Sequence, residues 1–135
     1  MNIAPQRVIA CVVTRGDKLL VCQRPLHKRH GGLWEFPGGK VHPEETDAGA
    51  AARELAEELG VQLRAAQDVA FEMADPNSPY LIAFIPVVID GEPSCREHSD
   101  MRWDKPADLL ALPLAPADRA FVLSLVGGSG DTSHG

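Results

Sequence analysis

Glu54, Glu57 and Glu58 stand at positions i, i+3 and i+4 of one apolar-periodic stretch. On a helix that spacing puts three carboxylates on a single face, within a turn of one another. Like charges so close repel by roughly a few tenths of a kcal/mol per pair. They also lie near the helix C-terminus, where the macrodipole disfavours anions. A purely structural helix gains nothing from the arrangement. A helix that gathers hard divalent cations gains a set of oxygen ligands. Taken alone, the pattern also fits a solvated acidic face.

Such carboxylates need a helix that is fixed at both ends and along one side. Thr46 or Asp47 can cap its start. Ala48, Ala51, Ala52, Leu55 and Leu59 recur at helical spacing and form an apolar face. Gly60 stands where a helix needs a residue at positive φ to stop. Upstream, Arg7 to Thr14 (RVIACVVT) and Lys18 to Arg24 (KLLVCQR) read as strands joined by the Arg15-Gly16-Asp17 turn, a hairpin. A basic loop with two histidines, Pro25 to Gly32, leads to the short apolar segment Leu33 to Phe36. Pro37-Gly38-Gly39 reads as a sharp turn. Downstream, Asp68 to Met73, Tyr80 to Ile89 and Met101 to Asp104 read as strands. Lys105 to Leu110 reads as a helical turn, and Pro116 to Val126 as a helix. The order of strands, helix, strands, helix predicts an α/β (α+β) fold with a mixed sheet between helices. One domain over residues 1–126 and a flexible tail over 127–135 (GGSGDTSHG) complete the expectation.

The surroundings of the three glutamates give them meaning. Gly39 is followed by five residues and Glu45, then by seven residues and Arg53-Glu54-Leu55. Ala56, Glu57-Glu58, Leu59, Gly60 and Val61 complete the run. This resembles the Nudix box, G-x5-E-x7-R-E-U-x-E-E-x-G-U, where U is aliphatic. All nine fixed positions over 23 residues are met. The resemblance implies a Nudix fold and hydrolysis of a diphosphate linkage. It makes Glu54, Glu57 and Glu58, with the carbonyl at Gly38, ligands of Mg²⁺ or Mn²⁺, and all-oxygen ligands suit those ions rather than Zn²⁺. It makes Arg53 and Glu45 a pair that orients Glu54. Leu55 anchors the helix to the core. The chemistry implied is attack of water on phosphorus, with a carboxylate taking the proton and no covalent intermediate.

The flanks extend the resemblance over about residues 7 to 126. Trp34-Glu35-Phe36-Pro37-Gly38-Gly39-Lys40 is similar to the segment leading into the box of MutT-type enzymes, which cleave nucleoside triphosphates to the monophosphate and pyrophosphate. That likeness places Arg24, Phe36 and Lys40 against the nucleotide. Arg96-Glu97, with Trp103 six residues on, resembles a stretch carrying a further carboxylate, so Glu97 is expected as a fourth carboxylate ligand or general base. Asp118 falls where MutT enzymes have a base-reading asparagine. An ionised aspartate only accepts, so it favours an amino group such as cytosine N4 or another N–H, the N7–H of an oxidised guanine included. The form Leu-Ala-Pro-Ala-Asp is similar to bacterial CTP and 5-methyl-dCTP pyrophosphohydrolases. Asp118 has a second reading, as cap of the last helix. The substrate expected is therefore a (d)NTP such as 8-oxo-dGTP, or a cytidine nucleotide. Pro76, 15 residues beyond Val61, leaves open an ADP-ribose or dinucleoside polyphosphate hydrolase. A non-catalytic binding module would have lost box carboxylates, and none is lost.

Composition sets the outer bounds. A net charge of −6 over 135 residues argues against nucleic-acid polymers and anionic membranes as partners. A polyphosphate remains accessible if cations mediate. No apolar run approaches the roughly 20 residues that span a bilayer, and Met1 to Arg7 shows no signal-peptide core. Cys11, Cys22 and Cys95 are odd in number and lack C-x-x-C spacing, which predicts reduced thiols and a cytoplasmic setting. His27, His30, His42 and His98 lack zinc spacing and are expected to be solvated. The chain is expected to act as a monomer or homodimer.

Overall fold

A computed structural model describes residues 5–132. Eight strands and three helices follow in the order β1 (Gln6–Arg15), β2 (Lys18–Gln23), β3 (Trp34–Glu35), β4 (Gly38–Lys40), α1 (Asp47–Leu59), β5 (Gln62–Ala66), β6 (Phe71–Ala74), β7 (Tyr80–Asp90), β8 (Asp100–Asp104), α2 (Pro106–Leu109) and α3 (Pro116–Thr132). The sheet is mixed. β1 pairs in parallel with β7 from Gln6↔Tyr80 to Val13↔Val87, and the remaining pairs are antiparallel. β1 and β2 form the expected hairpin.

Strand alternation divides the apolar residues between two cores. Ile9, Cys11 and Val13 of β1 face one side, where they meet Leu20, Ile85, Leu55 and Leu59 under α1. Ala10 and Val12 face the other side with Val21, Phe84, Phe121 and Val122 under α3. This period-2 split is what a sheet covered on both faces demands. Cys11 and Cys22 are buried and unpaired, as expected of small hydrophobes, and Cys95 is exposed. Among the described residues no helix is long and apolar enough to cross a membrane.

Three features differ from the sequence reading. Gly38 and Gly39, read as part of a Pro37-Gly38-Gly39 turn, lie in a strand, Gly38–Lys40, that pairs with β1 through Val8↔Lys40, Ile9↔Gly39 and Ala10↔Gly38. Its two glycines carry turn preference, and a neighbouring strand's backbone overrides it. β5 went unread because Gln62–Ala66 is mostly exposed and its register shifts between Leu63 and Ala65. α3 continues to Thr132, past the boundary expected at Val126, although glycine and serine are weak helix formers. The rest of the expected tail, 133–135, lies outside the described residues.

Candidate active site

α1 presents its acids because both its ends and its inner side are fixed. Thr46 is the N-cap, its hydroxyl accepting from the Gly49 N–H at 3.0 Å. Gly60 ends the helix at φ 69°, and a side chain there would also strike the Arg96 guanidinium. Ala51, Leu55 and Leu59 are fully buried. That rotation carries Glu58 into the interior at 5% exposure, leaves Glu54 13% exposed at its side chain, and leaves Glu57 half exposed.

Backbone and arginine hold the acids. Glu58 Oε1 accepts from the Gly38 N–H at 3.3 Å. Glu54 lies directly over Gly39, where any Cβ would overlap its carboxylate. Arg53 grips Glu45 with Nε and Nη2 at 2.9 and 3.0 Å, and Nη2 also donates to the Lys40 carbonyl at 2.9 Å. Its Nη1 stands 3.4 Å from Glu54 and 3.7 Å from Glu57. Arg53, with the His42 N–H, draws the Glu45 carboxyl down to about 2. Burial pushes Glu54 up to about 7, and the neighbouring Glu57 and Glu97 add to it. Burial, with Glu54 next to it, pushes Glu58 up to about 9.

The connection between β7 and β8 closes over the end of α1. Ser94 N–H donates to the Leu59 carbonyl and Arg96 N–H to the Glu58 carbonyl, both at 3.0 Å. These are orphan carbonyls of a helix end, so the loop doubles as its cap. It delivers Glu97, exposed, into electrostatic range of Glu54 and Glu58. His98, expected to be solvated, is instead 7% exposed, with Nε2 3.0 Å from Glu35 Oε2.

A cavity of about 600 Å³ opens beside this end. Arg24, Phe36, Lys40 and Asp118 all line it, as do Gly38 and Gly39. Trp34 faces away, into the α3-side core. Arg24 is fixed by Nε on the Arg29 carbonyl at 2.9 Å and faces Glu35 at 3.5 Å. Lys40 Nζ lies 5.3 Å from the Tyr80 ring centre. His30, at φ 60°, also lines the cavity. The Trp34 N–H donates to Pro113 O, and Ala115 N–H to Trp34 O, at 2.8 and 2.9 Å. Those bonds seat the start of α3 on β3, and Asp118 Oδ2 accepts from the Phe36 N–H at 2.8 Å. Burial pushes Asp118 up to about 8. That shift favours the protonated form, which can donate as well as accept, unlike the ionised aspartate of the sequence reading.

Comparison with known proteins settles the family. Residues 4–125 match the NUDIX domain. The chain belongs to the Nudix family. It is 38% identical over 113 residues to the CTP pyrophosphohydrolase of Escherichia coli, covering 82% of this chain and 84% of that one. It is also 38% identical over 123 residues to a Mycobacterium tuberculosis protein provisionally named 8-oxo-dGTP diphosphatase 2, covering 89% and 87%. Among solved structures, the E. coli ORF135 protein superposes at TM-score 0.77 with 33% identity, covering 90% of this chain and 89% of that one.

The donor chemistry of this Nudix hydrolase fits a hard divalent cation. Glu54 and Glu58 are like charges crowded below the surface, the opposite of what a metal-free interior favours. Among the described residues no three acidic, His or Cys side chains stand in a ready-made metal geometry. Glu57 and Glu97 lie toward solvent, so a cation can gather them without disturbing the core. Sequence reasoning missed Glu35 and His98. Alternation on β3 was the available signal for Glu35, since Trp34 faces the core and its neighbour must face away. Nothing in the spacing of His98 marked it.

Proposed function

We propose that the chain hydrolyses nucleoside triphosphates to the monophosphate and diphosphate with Mg²⁺ or Mn²⁺, acting on modified (d)NTPs such as 8-oxo-dGTP. One observation carries the reading. The cavity has Gly38 and Gly39, backed by the α1 acids, at one end, and Phe36 with Asp118 elsewhere on its wall. Glu54, Glu57, Glu58, Glu97 and the Gly38 carbonyl would hold the ions. When bound, such ions neutralise phosphate oxygens and acidify water. Arg24 and Lys40 bring positive charge to the polyphosphate. Arg53, itself held by Glu45, fixes Glu54. Glu54, Glu57 or Glu97 accepts the proton of the attacking water. Phe36 packs against the base, and Asp118 pairs with its edge.

A second reading, cytidine nucleotides, is favoured by the likeness to the E. coli CTP pyrophosphohydrolase. Diphosphate release from 8-oxo-dGTP, dGTP, CTP, dCTP and 5-methyl-dCTP separates the two. We expect 8-oxo-dGTP to be turned over faster than dGTP. Faster cleavage of the cytidine substrates would install the second reading. Refusal of all five, with AMP released from ADP-ribose, would end the triphosphate assignment.

A further inference from the structure

α1 crowds Glu54, Glu57 and Glu58 toward the end where its dipole disfavours anions, and its last turn holds no basic residue. A positive charge reaches that end from the 91–99 connection instead. A Cβ at Gly60 would fall 2.5 Å from Arg96 Nε and 2.6 Å from its Cζ and Nη2, so the guanidinium fills the space that a side chain there would take. Gly60 is therefore needed twice, once for φ 69° and once for this seat. The backbone of the same segment is tied to the helix end. Ser94 N–H donates to the Leu59 carbonyl and Arg96 N–H to the Glu58 carbonyl, both at 3.0 Å. On the far side the Ser99 N–H donates to the Gln23 carbonyl of β2, also at 3.0 Å. Glu97 is exposed and lies between these two anchors, and its charge reaches Glu54 and Glu58.

We propose that Arg96 is a positioning residue. Seated over Gly60 at the end of α1, it holds the 91–99 connection on the helix and keeps Glu97 beside the α1 acids, where a cation can join them. The proposal rests on the reading of this site as a cation-dependent hydrolase, with Glu97 among the ligands. Two effects act through the one contact. A guanidinium at a helix C-terminus meets the negative end of the dipole, so the seat is favourable in itself. An exposed glutamate on a loop must also be ordered before it can ligate, and a loop already anchored next to it has lost that freedom in advance. Supports of this kind are worth roughly 10- to 100-fold in metal affinity, and one acting through a neighbouring residue belongs at the low end.

A double-substitution cycle tests whether Arg96 acts through Glu97. Mn²⁺ affinity, read by electron paramagnetic resonance without any substrate, should fall about tenfold in Arg96→Ala. In Glu97→Gln it should fall by at least as much. The double variant should fall no further than E97Q alone, because without the carboxylate there is nothing left for Arg96 to place. A merely structural Arg96 would lower the melting temperature of the metal-free protein and leave Mn²⁺ affinity where it was. Parental affinity in folded R96A would therefore overturn the proposal, and so would losses in R96A and E97Q that multiply in the double variant. Parental affinity in E97Q would take Glu97 out of the cation site and the proposal with it. If R96A does not fold, Arg96→Gln, which removes the charge and keeps most of the stem, is held to the same expectations. Diphosphate release by the parent tests the underlying reading separately. A parent that cleaves no triphosphate, with the Mn²⁺ pattern intact, would sink the hydrolase reading and leave the positioning role standing. A parent that cleaves, with parental Mn²⁺ affinity in R96A, would do the reverse.

Discussion

The two helices that cover the sheet each bury one acid, and both acids lean on the same short stretch of backbone. Glu58 of α1 takes the Gly38 N–H, and Asp118 of α3 takes the Phe36 N–H. These two are the buried charged residues of the described chain. Their neighbours differ. Glu58 lies among Glu54, Glu35 and Glu97, a crowd of like charge. Asp118 lies beside Phe36, whose ring meets Phe84 and Phe121 edge-on at 5.9 and 5.5 Å. Burying an acid without a counter-charge favours its neutral form in both places. At α1 the crowd of carboxylates suits a site that takes up a cation, as the proposed function requires. At α3 burial, with Glu35 and Asp75 in electrostatic range, favours a neutral acid, which on the proposed reading offers one donor and one acceptor to a flat ligand edge. On the proposed reading, one helix sets the reaction and the other sets its object.

Glu57→Gln should expose that division most sharply. Glu57 is half exposed and interacts with Arg53 and Glu54 at the helix surface, so its loss leaves the core intact. We expect kcat to fall by about two decades or more, the scale of a lost proton acceptor or ligand, while the ranking of bases is unchanged. Undiminished turnover would remove Glu57 from the site. A changed ranking would mean that the α1 end also chooses the base.

How much of this was legible beforehand follows the same division. The α1 acids, Arg53 and Glu45 could be read because their chemistry is local: helical period and a fixed motif place them together within 14 residues. β1, β2 and β7 were legible because β-branched runs announce buried strands. β4 was not, because Gly38 and Gly39 favour a turn locally and form a strand only against the backbone of β1. Asp118 was read for its position, but its surroundings depend on Phe36, 82 positions away. His98 was misjudged for the same reason. A loop histidine becomes interior only when the 91–99 connection folds back over the end of α1.

Asp118 offers the next test. In Asp118→Asn the amide oxygen can still take the Phe36 N–H, and the amide nitrogen still donates. If the neutral acid is what reads the base, this variant keeps the parental ranking of substrates. Asp118→Ala leaves a buried N–H unpaired, at about 1–3 kcal/mol of stability. It should also compress discrimination between bases roughly tenfold. An inverted ranking in Asp118→Asn would show that the carboxyl reads as an ionised acceptor, and the contrast with Glu58 would collapse.

The smallest effect, a few degrees in melting temperature, tests both buried acids at once. Glu58 titrates near 9 in the folded chain, Asp118 near 8 and Glu54 near 7, all above their ordinary values of 4.5, 3.8 and 4.5. A raised acid binds its proton more tightly when folded, so its stabilising share is full below the ordinary value and is lost as pH rises to the folded one. Glu45 has the opposite sign, but its window closes between about 4.5 and 2, so it contributes no slope above pH 6. Metal-free protein should therefore melt lower at pH 9 than at pH 6, each kcal/mol amounting to about 4 °C at this size. Mg²⁺ at pH 9 should restore the share of Glu54 and Glu58, because it binds the ionised cluster of the folded chain alone. It should leave the share of Asp118 lost, and Asp118→Asn should recover that part without Mg²⁺. A metal-free melting temperature that holds or rises from pH 6 to 9 would contradict the burial of both acids. Recovery of the whole loss by Mg²⁺ would place Asp118 within reach of the cation, and the two ends of the cavity would be one.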